Sequence, residues 1–277
     1  MMGNYVVLDI GGTAVKYSYS TPKEAFCGQF STKGDLPLEI LSFIKDKPFD
    51  YIGVCAPGPF DYETGTSYME HKLPSLYGIA LDALIEKVNP HARRIFIHDG
   101  VAFALGVIAL EKEKDFACVM LGTGLGYVIC KNGKPQVNAQ QTPLNPLWSQ
   151  KYKSGIVEDY VSSTAILYKC RQCGFDFDNV KQAALKAMEG NAKLRVVFNE
   201  VGRDLGKLIE ERRKQDGFNK LFVGGQISKS FYLMKDGFQK ETDIAYQCVD
   251  DPEIRALEGL KYCADKEKRD ICEESIL

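Results

Sequence analysis

Two short turns rich in glycine and threonine are the residues of this chain best suited to chemistry. Gly11-Gly12-Thr13 follows the strand-like stretch Tyr5–Ile10, and Gly122-Thr123-Gly124 follows Phe116–Leu121. Glycine lets backbone N–H groups approach an anion without a Cβ in the way, and a threonine hydroxyl adds a donor. The turns could therefore hold phosphates, or they could be tight turns that need glycine only for their geometry.

The surroundings of these turns exclude two common nucleotide sites. A P-loop requires Gly-Lys followed by Ser or Thr, and the sequence contains no such tripeptide. A dinucleotide-binding fingerprint requires its glycines to open a helix. Here the turns continue into Ala14–Tyr17 and Tyr127–Cys130, whose residue types are typical of strands. Each turn thus closes a hairpin, and the two hairpins are either one unit used twice or an unrelated pair.

Two aspartates lie where a strand ends. Asp9 immediately precedes the first turn, where its carboxylate could hold Mg²⁺ directly or through water, or could serve the turn itself. Asp99 lies between the strand-like Arg94–His98 and the apolar stretch Val101–Leu110. It could take the proton of a hydroxyl group that attacks phosphorus, or it could cap the helix that follows. Its position alone favours the cap.

Two further loops follow predicted strands. Pro57-Gly58 forms a rigid turn after Tyr51–Ala56, and such a turn suits a loop that lines a cleft. Gly224-Gly225-Gln226 follows Lys220–Val223, and its paired glycines would let a flat adenine or a ribose approach the backbone.

The elements that must position these residues alternate between strands and helices. Helices are predicted around Leu81–Val88, Val101–Leu110 and Leu194–Ile209, where apolar residues recur every three or four positions or fill the whole surface. Strands rich in Val, Ile, Phe and Tyr are predicted at Tyr5–Ile10, Val15–Ser20, Ala25–Ser31, Tyr51–Ala56, Arg94–His98, Phe116–Leu121, Gly126–Lys131 and Lys220–Val223. This alternation is typical of an α/β protein.

Length and composition favour two lobes in a soluble protein. The chain has 277 residues, 45% of them hydrophobic, and a formal charge of −2. We expect an N-terminal lobe at 1–108 and a C-terminal lobe at 109–257, with a helix at about 258–277 packing back on the first lobe. The near-neutral charge gives no field for a nucleic acid or an anionic membrane, so neither is expected as a partner. Nine cysteines and the lack of a leader-like N-terminus predict a cytoplasmic protein with reduced thiols.

Taken in order, the motifs resemble the ROK family of sugar kinases, within the actin/hexokinase/Hsp70 superfamily. The resemblance covers most of the chain and rests on six segments, each in its expected place. They are Asp9–Lys16, Ala56–Asp61, His98–Gly100, Leu121–Gly126, Gly155–Tyr160 and Gly224-Gly225.

The resemblance implies a two-lobed actin-like ATPase (ribonuclease H-like) fold with ATP and a sugar in the interlobe cleft. It implies Asp99 as general base, Asp9 positioning Mg²⁺, and Glu158 bonding sugar hydroxyls. The Gly/Thr turns would hold the phosphates of ATP, and Gly224–Gln226 would flank adenosine. Pro57, Gly58 and His98 would line the sugar side. Phosphorylation at the 6-position and a homodimer are expected from the resemblance alone.

Several departures from the family pattern concern the sugar side. His98 stands where the family has asparagine, so the imidazole could contact the sugar or point into the core. The family's Gly-Glu-x-Gly-His segment has no counterpart. The stretch Asn138–Gln150 could replace part of it. Its Trp148 could stack against a sugar ring, although a buried anchor is the expected role. The structural zinc motif is also missing, and Cys170 and Cys173 are interpreted as two thiols at a helix end.

These departures leave two alternatives to an active kinase. One is a sugar-binding or regulatory ROK protein with impaired catalysis, against which the retained phosphate motifs and Asp99 argue. The other is a DNA-binding repressor, which needs a helix-turn-helix ahead of the kinase-like fold. Only Met1–Asn4 precede the first predicted strand, so the repressor is disfavoured.

Overall fold

The computed structural model describes residues 4–252 and 254–265. Their contacts divide into two units, each with its own sheet and hydrophobic core. The first unit takes residues 4–113, 134–143 and 254–265, and the second takes 114–133 and 144–252. The first division falls between residues 113 and 114, slightly beyond the expected boundary at 108/109.

The secondary structure follows the predicted alternation of strands and helices. The strands are β1 (Tyr5–Ile10), β2 (Ala14–Ser20), β3 (Ala25–Ser31), β4 (Tyr51–Ala56), β5 (Phe60–Asp61), β6 (Thr66–Ser67), β7 (Arg93–His98), β8 (Phe116–Leu121), β9 (Leu125–Lys131), β10 (Lys134–Pro135), β11 (Lys151–Tyr152), β12 (Gly155–Ile156), β13 (Lys220–Gly224) and β14 (Ala245–Cys248). The helices are α1 (Leu36–Ile44), α2 (Leu81–Val88), α3 (Asp99–Glu111), α4 (Ser163–Gln172), α5 (Val180–Met188), α6 (Ala192–Asp216), α7 (Lys235–Gln239) and α8 (Arg255–Asp265). Short 3₁₀ helices cover Pro74–Leu76, Val157–Asp159 and Gln226–Leu233.

The sheet of the first unit has the strand order β3-β2-β1-β4-β7. Strands β1, β2 and β3 pair as antiparallel hairpins, whereas β1, β4 and β7 run parallel. Every residue of β4 is buried, as expected for a parallel strand covered on both faces. Because parallel strands end at the same edge, the residues after β1, β4 and β7 lie side by side. In open α/β sheets this edge is where ligands bind.

The sheet of the second unit repeats this connectivity. Strand β8 pairs with β9 as an antiparallel hairpin and with β13 in parallel, and β13 runs parallel to β14. Both predicted glycine-turn hairpins therefore form, one in each unit. The residues that follow β8 and β13 share one edge of this sheet.

Helix α3 is apolar nearly all round because the first unit covers it on more than one side. Residues 100–108 are all buried, and the helix contacts both the sheet and α8. The two helices approach closely at Gly106 and Gly259. A Cβ at Gly106 would meet the Arg255 carbonyl oxygen, and one at Gly259 would meet the Ala102 carbonyl oxygen. Helix α8 also contacts β1 and β4. The remainder of the helix expected at 258–277 lies outside the described residues.

Helix α6 is the long amphipathic helix that the sequence predicted. The apolar residues that recur every three or four positions are all buried: Leu194, Val197, Phe198, Val201, Leu205, Leu208 and Ile209. An Asn191 cap begins the helix, and Gly217 ends it in the left-handed region at φ 73°. No helix in the described part of the chain is both long enough and apolar enough to cross a membrane.

Candidate active site

The first glycine turn is held rigidly at the end of β1. Gly11 N–H donates to the Ala14 carbonyl oxygen at 3.0 Å. Thr32, just after β3, braces the turn from the side. Its N–H donates to the Thr13 carbonyl oxygen at 3.2 Å, and its hydroxyl donates to the Gly12 carbonyl oxygen at 3.1 Å. Gly12 and Thr13 are exposed, and a Cβ on Gly12 would meet nothing within 4 Å. The backbone of the turn is therefore accessible to a ligand, while these hydrogen bonds fix its conformation.

Asp9 lies at this turn in a partly buried position. It stands in register with Lys16 on β2 and with Cys55 on β4, and the Cys55 thiol donates to its Oδ1 at 3.5 Å. Burial and the negative charge of Asp99 raise the pKa of Asp9 from 3.8 to about 6, while Lys16 and the thiol partly oppose that rise. A carboxylate destabilised in this way would be stabilised by a cation.

We expect Asp9→Asn to stabilise the protein at pH 8. The raised pKa means that the native state binds the Asp9 proton more tightly than the unfolded chain does. Stability is therefore lost as the pH rises from about 4 to about 6. Above that range the ionised Asp9 lowers the free energy of unfolding of wild type by about 1–3 kcal/mol. Asparagine does not ionise, so the variant avoids this loss. Urea unfolding at pH 8 and near pH 4 measures the difference, which should shrink at the lower pH. An equal difference at both pH values would contradict the raised pKa.

His98 and Asp99 lie at the carboxyl end of β7, one strand beyond β4. Asp99 is the first residue of α3, and the cap is His98, which corrects the interpretation of Asp99 as the cap. Oδ1 of Asp99 accepts the Gly100 N–H at 2.7 Å and lies 3.0 Å from His98 Nδ1. Desolvation alone would raise the pKa of Asp99. The neighbouring imidazole, the Gly100 N–H and, more weakly, Lys72 hold it below its ordinary value. An ionised carboxylate also suits a helix N-terminus.

The Pro57-Gly58 turn reaches the same edge of the sheet. Ala56, the last residue of β4, stands in register with His98 at the end of β7. Tyr62 ties the loop back, since its hydroxyl donates to the Ala56 carbonyl oxygen at 3.1 Å. Its ring also lies 5.9 Å from the His98 ring, centroid to centroid. His98 is therefore part of this polar cluster rather than of the hydrophobic core.

The second glycine turn is held by the segment that carries Glu158. Leu125 N–H donates to Glu158 Oε2 at 3.1 Å, and Ser163 N–H donates to the Gly122 carbonyl oxygen at 2.8 Å. The carboxylate lies so close to Gly124 that a Cβ there would collide with Oε2. A side chain at Gly124 would therefore displace the Glu158 carboxylate, a contact that the sequence does not reveal.

Gly224-Gly225-Gln226 follows β13 and lies at the same sheet edge as the second turn. Gly225 has φ 79° and ψ 169°, a backbone conformation that residues other than glycine rarely adopt. Its Cα also faces the backbone of Leu121, the last residue of β8. The Ser228 hydroxyl then closes the turn by donating to the Gly225 carbonyl oxygen at 2.7 Å. This glycine pair has a structural role besides the predicted adenosine contact.

The predicted residues therefore form two clusters, one in each unit. Asp9, the first turn, Pro57-Gly58 and His98-Asp99 lie along one edge of the first sheet. The second turn, Glu158 and Gly224–Gln226 lie along one edge of the second sheet or against it.

Sequence reasoning missed several neighbours of these clusters. Cys55 and Tyr62 were visible only as members of a strand and a loop, and Lys72 carried no motif. Trp148 is not the buried anchor that was expected. Its side chain is 46% exposed, and its carbonyl oxygen accepts the Glu158 N–H at 3.1 Å. It stays exposed because the backbone, rather than the indole ring, ties this segment to the 3₁₀ helix at Glu158.

No group of three or more His, Cys, Asp or Glu side chains within residues 4–252 and 254–265 could by itself hold a metal ion. Cys170 is buried at the end of α4, and Cys173 caps that helix. A magnesium ion at Asp9 would therefore need further ligands from a bound phosphate or from water.

Comparison with known proteins finds similarity in structure only. No protein-family model matches the sequence, and no curated protein sequence matches it significantly. Solved structures do match over nearly the whole chain. A ROK family protein from Streptococcus pneumoniae in complex with sucrose is 17% identical, with a TM-score of 0.83 over 96% of this chain and 99% of that one.

Two further matches show how widely this fold is used. A ROK family glucokinase from Streptomyces griseus, in complex with glucose and AMPPNP, is 17% identical, with a TM-score of 0.72 over 95% of this chain and 98% of that one. A ROK family transcriptional regulator, a homologue of the E. coli MLC protein, is 15% identical, with a TM-score of 0.77 over 94% of this chain and 78% of that one. The chain therefore has the α/β fold of these ROK structures, as its motifs predicted.

Proposed function

We propose that the protein is an ATP-dependent kinase of a hexose or an N-acetylhexosamine, acting on the 6-hydroxyl. The observation that carries the proposal is the Asp99 carboxylate. It is held ionised at a helix N-terminus, with 41% of its side chain exposed, at the sheet edge that also carries Asp9 and the first Gly/Thr turn. A base, a cation ligand and a phosphate turn are the parts that phosphoryl transfer to a hydroxyl requires.

In this proposal Asp99 accepts the proton of the sugar hydroxyl while its oxygen forms a bond to the γ-phosphorus of ATP. The bond between that phosphorus and the bridging oxygen breaks, and ADP leaves. The turns Gly11–Thr13 and Gly122–Gly124 bind phosphate oxygens through backbone N–H groups other than those of Gly11 and Gly122, which already donate to carbonyl oxygens of the hairpins. Gly224–Gln226 flank adenosine. The work of the protein is positioning and charge neutralisation, which supply most of the catalysis in such reactions.

The sugar side of the proposed site takes Pro57, Gly58, His98 and Glu158. Glu158 already accepts one hydrogen bond from Leu125 N–H through Oε2, which leaves its other oxygen for a sugar hydroxyl. Trp148 is exposed next to Glu158, so a sugar ring could stack on its indole ring.

Asp9 fits a magnesium ion held with the phosphates of ATP. Mg²⁺ commonly takes one or two protein carboxylates and completes its shell with phosphate oxygens and water. The raised pKa of Asp9 fits this role, because a nearby cation would offset both the cost of burying the carboxylate and its repulsion from Asp99. When bound, the ion would neutralise charge on the phosphates, with Asp9 as a ligand directly or through water.

The proposal is tested by ADP release from Mg-ATP across a panel of hexoses, N-acetylhexosamines and ketohexoses. Turnover with one sugar, lost in Asp99→Asn, would support the kinase and identify its substrate. Turnover with no sugar would exclude the proposal for the sugars tested.

A sugar-binding or regulatory protein is the second candidate, because a ROK regulator shares the fold. Trp148 is the only tryptophan in the chain and lies beside Glu158, so its fluorescence should change if a sugar binds at Glu158. A saturable fluorescence change with a sugar, in the absence of any ADP release, would favour this second candidate.

A further inference from the structure

Three short contacts join the Gly100 nitrogen, Asp99 Oδ1 and His98 Nδ1 in pairs, and they cannot all be hydrogen bonds. Gly100 N–H lies 2.7 Å from Asp99 Oδ1 and 3.0 Å from His98 Nδ1. His98 Nδ1 in turn lies 3.0 Å from the same Asp99 oxygen. The Nδ1 atom of an imidazole either carries a proton and donates or has a lone pair and accepts. Only one of its two contacts can therefore be a hydrogen bond.

Charge decides between the two arrangements. If Nδ1 accepted from Gly100, its lone pair would face the oxygen of an ionised carboxylate at 3.0 Å, which is repulsive. If Nδ1 carries the proton, the same contact becomes a charge-assisted hydrogen bond, and Gly100 N–H donates to Asp99 at the shorter of its two distances. The second arrangement satisfies every group, so Nδ1 is the protonated nitrogen.

We propose that His98 is a positioning residue that orients Asp99 for proton transfer. Its Nδ1–H and the Gly100 N–H together fix Oδ1, so Oδ2 is the oxygen that receives the proton of the substrate hydroxyl. No described residue hydrogen-bonds to Oδ2. Nε2 of His98 is then left to face the sugar, and in a neutral imidazole it accepts a hydrogen bond from a hydroxyl. This inference rests on the proposed kinase function, in which Asp99 is the base.

The other groups around Asp99 do not replace this interaction. The Cys55 thiol on β4 donates to Asp9 on β1, so neither of these two residues is a donor to Asp99. The Tyr62 hydroxyl donates to the backbone of Ala56, and Lys72 acts on Asp99 as a more weakly contributing charge. His98 and Gly100 are thus the described donors to Asp99, and only His98 acts through a side chain that can be replaced.

The protonation of His98 can be measured without any assay of activity. The chain has three histidines, His71, His91 and His98, so ¹⁵N-histidine labelling gives a spectrum that His98→Asn assigns. We expect His98 to show a proton on Nδ1, the nitrogen that faces Asp99. The opposite pattern, a protonated Nε2 with a bare Nδ1, would overturn the proposal, because His98 would then only cap α3 through Gly100.

Two substitutions separate the roles of the two imidazole nitrogens. Asparagine places an amide near the position of Nδ1, whereas glutamine places one near the position of Nε2. We expect His98→Gln to lower kcat by about 10-fold or more, because a misoriented base reacts slowly. Two carboxyl groups shape the acid limb of its kcat/KM profile, Asp9 at a pKa of about 6 and Asp99 at a lower pKa. The lower of the two should move to higher pH, because the ionised Asp99 loses a donor. In His98→Asn the kcat and the acid limb should stay near wild type, while the KM for the sugar rises.

A merely structural role for His98 would not produce this division, and thermal unfolding of both variants checks that they fold. If His98→Gln keeps the wild-type kcat and acid limb, the positioning role is wrong. If wild type phosphorylates no sugar, the proposed function fails instead, and the protonation measurement alone decides whether His98 holds Asp99.

Discussion

Replacing Asp99 with asparagine is expected to lower kcat for the sugar substrate by about 10³-fold, within the range that general-base catalysis supplies. An asparagine side chain preserves the size of the residue and can still accept the Gly100 N–H through its oxygen. It cannot take up the hydroxyl proton. Affinity for ATP and for the sugar should change little, because the phosphate turns and Glu158 are untouched. Steady-state kinetics and sugar titration of Trp148 fluorescence measure the two effects separately.

Asp46→Asn is the matched control for this experiment. Asp46 is an exposed aspartate of the same unit and lies away from the sheet edge that carries Asp99. The control should keep full activity. Unchanged turnover in Asp99→Asn would remove Asp99 as the base.

Gly225→Ala is expected to destabilise the protein by about 3 kcal/mol or more. Backbone strain in a conformation that only glycine tolerates costs about 1–3 kcal/mol. Overpacking adds a similar amount, because the new Cβ would lie 2.7 Å from the Leu121 nitrogen and 2.8 Å from its carbonyl carbon. Both atoms are backbone and cannot rotate aside. Urea unfolding without ATP, followed by the fluorescence of Trp148, measures the loss in the unit that contains both residues.

Gly122→Ala is the control, because it adds the same methyl group to the second phosphate turn. Its Cβ would meet only the Gly124 carbonyl oxygen, at 3.9 Å, and its φ lies outside the left-handed region. We expect a change of less than about 1 kcal/mol in the free energy of unfolding. Equal stability of the two variants would show that Gly225 is not constrained by Leu121.

Local pattern predicted the longer strands of both sheets and helices α2, α3 and α6, whereas α1 and α5 were not predicted. The strands Tyr5–Ile10, Ala25–Ser31, Tyr51–Ala56 and Phe116–Leu121 have the bounds that were predicted, because apolar and β-branched runs end at glycine, proline or polar residues. Helix α2 also has its predicted bounds. Strand β14 was missed, since its four residues show neither alternation nor a long apolar run.

The residue types of the candidate site could also be selected from the sequence, because each follows a predicted strand. Parallel strands bring the residues after them to one edge, so a correct topology is enough to gather Asp9, Pro57 and Asp99. The ROK fold, to which six weak motifs pointed together, supplied that topology.

Only the tertiary structure decided what these side chains contact. Glu158 binds the N–H of Leu125, 33 residues away, and Cys55 donates to Asp9, 46 residues away. The same packing exposes Trp148, places His98 against Asp99 and sets the need for glycine at Gly225. A sequence determines local backbone preference within a few residues. Hydrogen-bond partners, pKa values and close backbone approaches depend on segments that are far apart in the sequence and are brought together by folding. No local sequence pattern encodes these contacts.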